Sequence, residues 1–176
     1  MGLSGTGVSG TGDPEIGPDL LELARFAESV ADWTWSAQTR DALMATAGVA
    51  IPASAFLLLR YVDHFEPVSV SGLAALVGLH PSTVSTQVRP LLDHGFAVAE
   101  TDVTDRRVVS LSTTAAGRDL CERVRKVGAR NWGVVLDDWS AADLAQLAEL
   151  LRRVRADVLS EVAAMRDGTS KLMLNP

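Results

Sequence analysis

The chain contains 176 residues, of which 16 are basic and 22 are acidic, so its formal net charge is −6 and its pI is about 5.0. This charge excludes the strongly basic class of nucleic-acid-binding proteins. The single cysteine excludes an intramolecular disulfide, and the lack of an apolar run of about 18 residues excludes a membrane-spanning helix.

The N-terminal segment, residues 1–18, is rich in Gly, Ser and Thr and has no hydrophobic stretch. It is therefore predicted to be a disordered tail and not a signal peptide, which makes the cytoplasm the expected location. Apolar residues then recur at helical spacing and predict one long helix from residue 19 to about residue 46, which can be irregular near Trp33 and Trp35. Gly48 is expected to end this helix.

Two prolines and a glycine mark the helices of the next segment. Pro52 is expected to open a second helix. A short helix over residues 71–77 is expected to end at Gly78. Another helix is predicted to begin after His80, because Pro81 needs no N–H donor at a first helical position and forces the residue before it into the extended region. This order of elements predicts a helix-turn-helix.

The helix that begins at Pro81 has an apolar and a polar face. Val84, Val88 and Leu91 share one predicted buried stripe, at positions i, i+4 and i+7. The other face has hydroxyl, amide and guanidinium groups that can bond phosphates or base edges in the major groove of DNA. We therefore predict a DNA-recognition helix, with an ordinary solvated surface as the alternative. The predicted contact residues are Ser82, Thr83, Ser85, Thr86, Gln87 and Arg89.

A charged hairpin follows the recognition helix. Two segments of alternating polarity, residues 96–101 and 108–112, flank a short turn and predict a two-stranded wing. Arg106 in the turn is expected to enter the adjacent minor groove of DNA, where the electrostatic potential is most negative. Asp105 is expected to stabilise the wing by pairing with Arg107, which has phosphate contact as a second role. A solvated turn is the alternative.

The last third of the chain is helical in pattern. One helix is predicted from Gly117 to Trp139, where Gly128 and Gly133 either soften the helix or permit close packing. Ser140 begins a capping box that precedes a long apolar stripe. Because this stripe is too long for one small core, we expect the two terminal helices to pair across a homodimer axis, with an intramolecular bundle as the alternative. The stripe contains Leu144, Leu147, Leu151, Val154, Val158 and Val162.

Five runs of the sequence have an order and spacing typical of one protein family, namely residues 70–79, 81–85, 91–97, 105–107 and 111–117. With the two outer helices, they resemble the MarR family of transcriptional regulators. This resemblance implies a homodimer with paired winged helices, usually a repressor that releases a palindromic DNA operator when a small molecule binds. Three positions depart from the family. Gly72 replaces a frequent acidic capping residue, and Thr86 stands where many members have an arginine. Pro90 lies inside the recognition helix, where some bend is expected.

The resemblance also implies a crevice between the dimer helices and the winged domain that accepts small aromatic or phenolic effectors. The aromatic and titratable residues nearest to it by rough placement are Trp33, Trp35, Tyr61, His64 and Phe65, with core packing as the alternative. Cys121 borders an apolar face and is expected to be inert. The histidines lack companions at metal-ligand spacing and no catalytic motif is present, so we predict no metal, no cofactor and no enzymatic activity.

The predicted fold class is mainly α with a small β-hairpin wing (α+β), a winged helix-turn-helix with N- and C-terminal dimerisation helices. The predicted domains are a disordered tail (1–18), an N-terminal dimerisation helix (19–48), a winged DNA-binding domain (51–117), C-terminal helices that complete the dimer interface (118–165) and a flexible tail (166–176).

The predicted function is a MarR-like regulator that binds double-stranded DNA as a homodimer and does not bind a membrane. The alternative is a winged-helix adaptor that has lost DNA binding and holds a partner protein. That alternative arises because residues 66–113 contain only three basic residues against five acidic ones. The same charge predicts few phosphate contacts and a shallow salt dependence of DNA binding.

Overall fold

The computed structural model describes residues 16–101, 109–166 and 168–170. The chain divides into two compact units, residues 1–40 and 41–176. The described residues are mostly helical with one small antiparallel sheet, which confirms the predicted fold class. The helices are α1 (Pro18–Trp35), α2 (Ala37–Thr46), α3 (Ala53–Phe65), α4 (Val70–Val77), α5 (Pro81–Asp93), α6 (Ala115–Val135) and α7 (Ala141–Arg166), and the strands are β1 (Val68–Ser69), β2 (Ala97–Thr101) and β3 (Val109–Thr113).

The N-terminal segment forms two helices where one was predicted, and the break falls directly after Trp35, where the sequence allows an irregularity. α1 ends at Trp35, and Ser36 has a non-helical backbone with ψ of 127°. The hydroxyl of Ser36 accepts a hydrogen bond from the backbone N–H of Thr39 at 3.2 Å. A serine in this position satisfies a free N–H at a helix start, so α2 begins as a separate helix although the apolar spacing continues. Gly48, with φ of 65°, follows the end of α2.

Local signals in the sequence set the boundaries of α4 and α5. Ser69 caps α4 by accepting a backbone N–H of the first turn at 3.0 Å, and Gly78 ends this helix with a left-handed φ of 66°. α5 begins at Pro81, and His80 before it is extended (φ −70°, ψ 141°). Gly95, with φ of 68°, follows the end of α5. The end of α4 and the start of α5 are the ones that the sequence predicts, and α4 begins one residue earlier than predicted.

The sheet has three strands in the order β1–β3–β2, one more than the predicted two-stranded wing. Both neighbours of β3 are antiparallel to it. The short strand β1 has only two residues, too few for alternation to be visible in the sequence. The outermost pairs are Ala97↔Thr113 and Thr101↔Val109 between β2 and β3, and Val68↔Leu111 and Ser69↔Ser110 between β1 and β3.

The hydrophobic core of the second unit is formed mainly by α3, α4, α5, α6 and the sheet. The stripe predicted on α5, Val84, Val88 and Leu91, is no more than 3% exposed, which confirms which face of that helix is buried. Fully burying a side chain of this size contributes about 2 kcal/mol. The core therefore fixes α5 with its polar face directed outward.

Large apolar side chains are exposed along both α1 and α7. On α7 the serine of the predicted capping box forms its bond, because the Ser140 hydroxyl accepts the backbone N–H of Asp143 at 3.2 Å. Most of the apolar residues that follow are more than one-third exposed. The exposed large apolar residues are Leu20, Leu21, Leu23 and Phe26 on α1, and Leu144, Leu150, Leu151, Val154, Val158 and Met165 on α7.

Candidate nucleic-acid interface

The outward face of α5 contains all six contact residues predicted from the sequence. Five of them are exposed, and the sixth, Gln87, is half-buried. Because this face lies opposite the buried stripe, a partner as wide as the major groove of DNA can approach it without disturbing the core. The five exposed residues are Ser82, Thr83, Ser85, Thr86 and Arg89.

Two hydroxyls on this face donate to the backbone of their own helix. The hydroxyl of Ser85 donates to the carbonyl of Pro81 at 2.9 Å, and that of Thr86 donates to the carbonyl of Ser82 at 3.0 Å. Since a hydroxyl has only one hydrogen, the oxygens of these two groups are left as acceptors. In this conformation they can accept from the amino groups of bases but cannot donate to phosphates.

The start of α5 is fixed by a histidine that sequence reasoning did not include among the contact residues. Nδ1 of His80 accepts the backbone N–H of Ser82 at 3.3 Å and lies 2.8 Å from the hydroxyl oxygen of the same serine. The acceptor role leaves Nδ1 unprotonated, so the serine hydroxyl donates to it. The position before Pro81, where a helix cap is expected, is the signal that identifies this residue.

Thr83, Gln87 and Arg89 provide the donors that Ser85 and Thr86 lack. Their side chains form no hydrogen bond to any residue within the described ranges. Thr83 and Gln87 are four residues apart and therefore lie one above the other along the helix. Arg89 presents five N–H donors that can bond a phosphate or the O6 and N7 atoms of guanine.

The wing begins beside this helix, but its tip is outside the described residues. Asp105, Arg106 and Arg107 all belong to residues 102–108, which the structure does not describe, so their predicted roles stay predictions. The described strands hold Glu100, an exposed acidic residue, and no basic residue. The described part of the sheet therefore adds no positive charge to the interface.

The segment that follows α5 is bonded directly to the start of α6. Thr114, the N-cap of α6, donates from its backbone N–H to the carbonyl of Phe96 at 3.1 Å and from its hydroxyl to the carbonyl of Gly95 at 2.7 Å. The same hydroxyl accepts the backbone N–H of Gly117 at 3.1 Å. One threonine thus caps α6 and holds the segment between the recognition helix and the wing.

A cavity of about 470 Å³ lies in the second unit, mainly between α3 and α6. Its volume is within the range of small-molecule sites. Three of its lining side chains are positively charged and only one is acidic, while its apolar lining consists of Leu43, Phe56, Val124, Trp132 and neighbouring residues of α6. The charged and titratable lining residues are Arg60, Asp63, His64, Arg125 and Arg155.

The five residues predicted to border an effector crevice are placed in different surroundings. Trp33 and Trp35 belong to the first unit, whereas the other three are on α3 in the second. His64 lines the cavity. Tyr61 and Phe65 pack against the hydrophobic core with their rings stacked at a centroid distance of 6.4 Å, and they are not among the cavity-lining residues. The arginines of the cavity could not be found from the sequence, because their helices meet only in the folded chain.

Cys121 lines the cavity as a neutral thiol. Burial raises its pKa to about 11, and the negative charge of Asp63 acts in the same direction. Arg125 and Arg60 oppose this increase in pKa without cancelling it. Since the thiolate is the reactive form, the protein suppresses the nucleophilicity of this cysteine.

Sequence comparisons identify the family. The model of the MarR family matches residues 51–109. The uncharacterized HTH-type transcriptional regulator YxaD of Bacillus subtilis (strain 168) is 31% identical over 101 residues, which are 57% of this chain and 71% of that protein. The chain belongs to the MarR family. This assignment makes it a DNA-binding transcriptional regulator, in a family of regulators and not of enzymes.

Solved structures share the fold of this MarR-family chain. The transcriptional regulator Tm0710 from Thermotoga maritima has a TM-score of 0.58 and 21% identity, covering 88% of this chain and 99% of that one. A mutant of MepR from S. aureus, bound to an oligodeoxyribonucleotide, has a TM-score of 0.52 and 16% identity, covering 79% and 97%. At these identities the likeness concerns the fold, and the MarR-family assignment rests on the sequence comparisons.

Within residues 16–101, 109–166 and 168–170, no three His, Cys, Asp or Glu side chains come together as a metal-binding group. None of the helices in the described part of the chain combines the length and apolar character needed to cross a bilayer.

Proposed function

We propose that this protein is a homodimeric repressor that binds a palindromic DNA operator through α5 and the wing and is released by a small-molecule ligand. The observation that carries this proposal is the outward face of α5, where donors and acceptors are arranged on a helix held rigidly by the core. Thr83, Gln87 and Arg89 supply donors, and Ser85 and Thr86 supply acceptors. The MepR mutant of the same fold is bound to an oligodeoxyribonucleotide, which supports this use of the fold.

The charge of the winged domain determines what kind of binding to expect. Between residues 66 and 113 the chain has three basic and five acidic residues, and all described basic charge on α5 comes from Arg89. Each phosphate contact that releases a counterion steepens the salt dependence of binding. The affinity of this regulator therefore depends mainly on base contacts by α5 and on the wing arginines, Arg106 and Arg107.

The exposed apolar faces of α1 and α7 support a homodimer. An apolar stripe along a helix is stabilising only when another surface covers it. In a symmetric dimer the same patch of both copies is buried at once, and two recognition helices are presented to two half-sites. Sedimentation of a monomer at micromolar concentration would contradict this part of the proposal.

The cavity between α3 and α6 is the proposed effector site. Trp132 and Phe56 offer aromatic surface. Arg125 is paired with Glu122, but Arg60 and Arg155 still outnumber the one acidic lining residue, which favours a ligand with a negative charge. The predicted effector is accordingly a small aromatic compound that is ionised at neutral pH. Benzoate should displace operator DNA at lower concentration than benzyl alcohol, which has a similar size and no charge.

Fluorescence anisotropy tests DNA binding directly. Duplex fragments from the intergenic region beside the protein's own gene are titrated, and saturable binding to one fragment, far tighter than to random duplex, is expected. Arg89→Ala and the double variant Arg106→Ala/Arg107→Ala should each weaken it by about tenfold or more. Arg153→Ala on α7, which removes one positive charge as Arg89→Ala does, is the control for that variant. Binding no better than to random DNA would refute the proposal.

The acidic winged domain favours one second candidate, an adaptor that holds a partner protein. Such an adaptor would bind every duplex weakly and equally, because only nonspecific electrostatic attraction would remain. The substitution Arg89→Ala would leave its affinity for the partner protein nearly unchanged. The same titrations therefore separate the two functions.

A further inference from the structure

The carboxylate of Glu66 bonds to two distant parts of the chain. Glu66 is the C-cap of α3, and its side chain is 24% exposed. Its Oε2 accepts the backbone N–H of Thr113, the last residue of β3, at 2.5 Å. Its Oε1 accepts from the guanidinium of Arg118, in the first turn of α6, at 2.7 Å. One side chain thus joins α3, the base of the wing and α6.

The sheet explains why a side chain is needed at this point. β1 pairs with β3 in the register Val68↔Leu111, and continuing that register places Pro67 opposite Ser112 and Glu66 opposite Thr113. A proline has no N–H and so ends regular pairing at an edge. The Glu66 carboxylate replaces the missing strand partner by accepting the next N–H of β3, that of Thr113. Thr113 is 4% exposed, so its N–H would otherwise be buried without a partner.

The first turn of α6 connects this contact to the recognition helix. Thr114 follows the residue held by Glu66, and it donates to the carbonyls of Gly95 and Phe96 in the segment between α5 and β2. Two consecutive residues, Thr113 and Thr114, therefore bond the base of the wing to Glu66 and to the segment that follows the recognition helix. A change in the Glu66 contact would alter the orientation of the wing relative to α5.

We propose that Glu66 is a positioning residue for DNA binding, which holds the base of the wing so that the wing arginines reach DNA while α5 occupies the major groove. This rests on the proposed DNA-binding function. Glu66 does not touch DNA. It acts through β3, and it contributes to the affinity for DNA only when the wing tip contacts DNA.

A double-mutant cycle tests this inference in the full-length protein. Operator affinity is measured for the wild type, Glu66→Gln, Arg106→Ala and the double variant, at a temperature where circular dichroism shows all four to be folded. We expect Glu66→Gln to weaken binding by about fivefold in the wild-type background and by less than about twofold once Arg106 is absent. Glu122→Gln, which removes an exposed carboxylate paired with Arg125, is the control and should leave affinity unchanged.

Hydrogen exchange gives a second readout that requires no DNA. In Glu66→Gln the Thr113 amide should exchange faster relative to the amides of α5, because an amide oxygen is a weaker acceptor than a carboxylate.

In the double-mutant cycle, an equal loss of operator affinity with and without Arg106 would mean that Glu66 acts through general stability, and this would overturn the inference. Unchanged affinity would overturn it while DNA binding stands. If the wild type fails to bind any operator, the proposed function fails and the inference falls with it.

Discussion

The backbone carbonyl oxygen of Phe96 lies 2.1 Å from the position that a β-carbon on Gly117 would occupy. The methyl carbon of Thr113 is 2.8 Å from the same position. Both distances are shorter than any real contact of a β-carbon, and the closer neighbour is backbone. The first turn of α6 therefore packs on the segment between α5 and β2 at a distance that only glycine permits.

Replacing Gly117 with alanine should destabilise the protein strongly. Either α6 or the Phe96 segment must move, and the hydrogen bonds of Thr114 to that segment would be distorted. We expect a loss of about 3 kcal/mol in the free energy of unfolding, measured by urea denaturation. Gly133→Ala is the matched control in the same helix, because nothing lies within 4 Å of its added β-carbon. It should stabilise by about 1 kcal/mol. Equal effects at the two positions would contradict the packing described for Gly117.

Glu66 should make stability depend on pH in the acid range. Burial raises the pKa of Glu66, but hydrogen bonds from the Thr113 N–H and from Arg118 outweigh it, so the net pKa is lowered from 4.5. A lowered folded-state pKa means that the carboxylate stabilises the fold above its unfolded-state pKa, and that this contribution is lost as pH falls through the folded-state pKa. Wild type and Glu66→Gln should differ by about 1 kcal/mol at pH 7.

The difference between these two proteins should shrink as pH falls below about 4.5 and vanish when the carboxyl is protonated. Urea denaturation of both proteins at pH 7, 5 and 3 measures it. The control variant Glu122→Gln, which alters an exposed ion pair within α6, should show a much smaller difference throughout. A difference that stays constant from pH 7 to pH 3 would show that charge at Glu66 is irrelevant to stability.

Features of this chain can be predicted from the sequence when the interacting residues are close together along it, and not when they are far apart. His80, Pro81 and Gly95 determine backbone conformation through their own chemistry, so the boundaries of α5 are visible locally. The sequence allows an irregularity near Trp35, but it does not show that Ser36 caps a separate helix, because serine is also tolerated inside helices. The contacts of Glu66 join residues 47 and 52 positions apart, and no local pattern reveals them.

The candidate site also has one part that a local sequence pattern predicts and one part that it does not. The outward face of α5 follows from helical spacing around Val84 and Val88. The cavity does not, because its arginines come from three helices, and α3 and α6 are separated by about 50 positions. The N-cap role of His80 is partly predictable, since the proline after it signals a helix start but does not show which atom the side chain bonds.

Cys121 should react slowly with thiol reagents in the folded protein. With a pKa of about 11, only roughly one thiol in a thousand is ionised at pH 8. Its side chain is also buried, so the reagent has little access. Absorbance after addition of a disulfide reagent should therefore rise slowly in buffer and quickly in urea, where the pKa returns to about 8.5. A fast stoichiometric reaction in buffer would show an accessible thiolate and contradict the placement of this residue.

Thr86 offers a gain-of-function test of the proposed interface. It is exposed on the outward face of α5, where the only described basic residue is Arg89. Thr86→Arg adds a cation within reach of the DNA backbone, and arginine is also a better helix former than threonine. Operator affinity should increase, and the slope of log affinity against log salt should steepen by about 0.9 for one added phosphate contact. Thr86→Gln, of similar reach and without charge, should leave the slope unchanged. If Thr86→Arg alters neither affinity nor slope, this face of α5 does not meet DNA, because a new charge at a protein–DNA contact must release counterions.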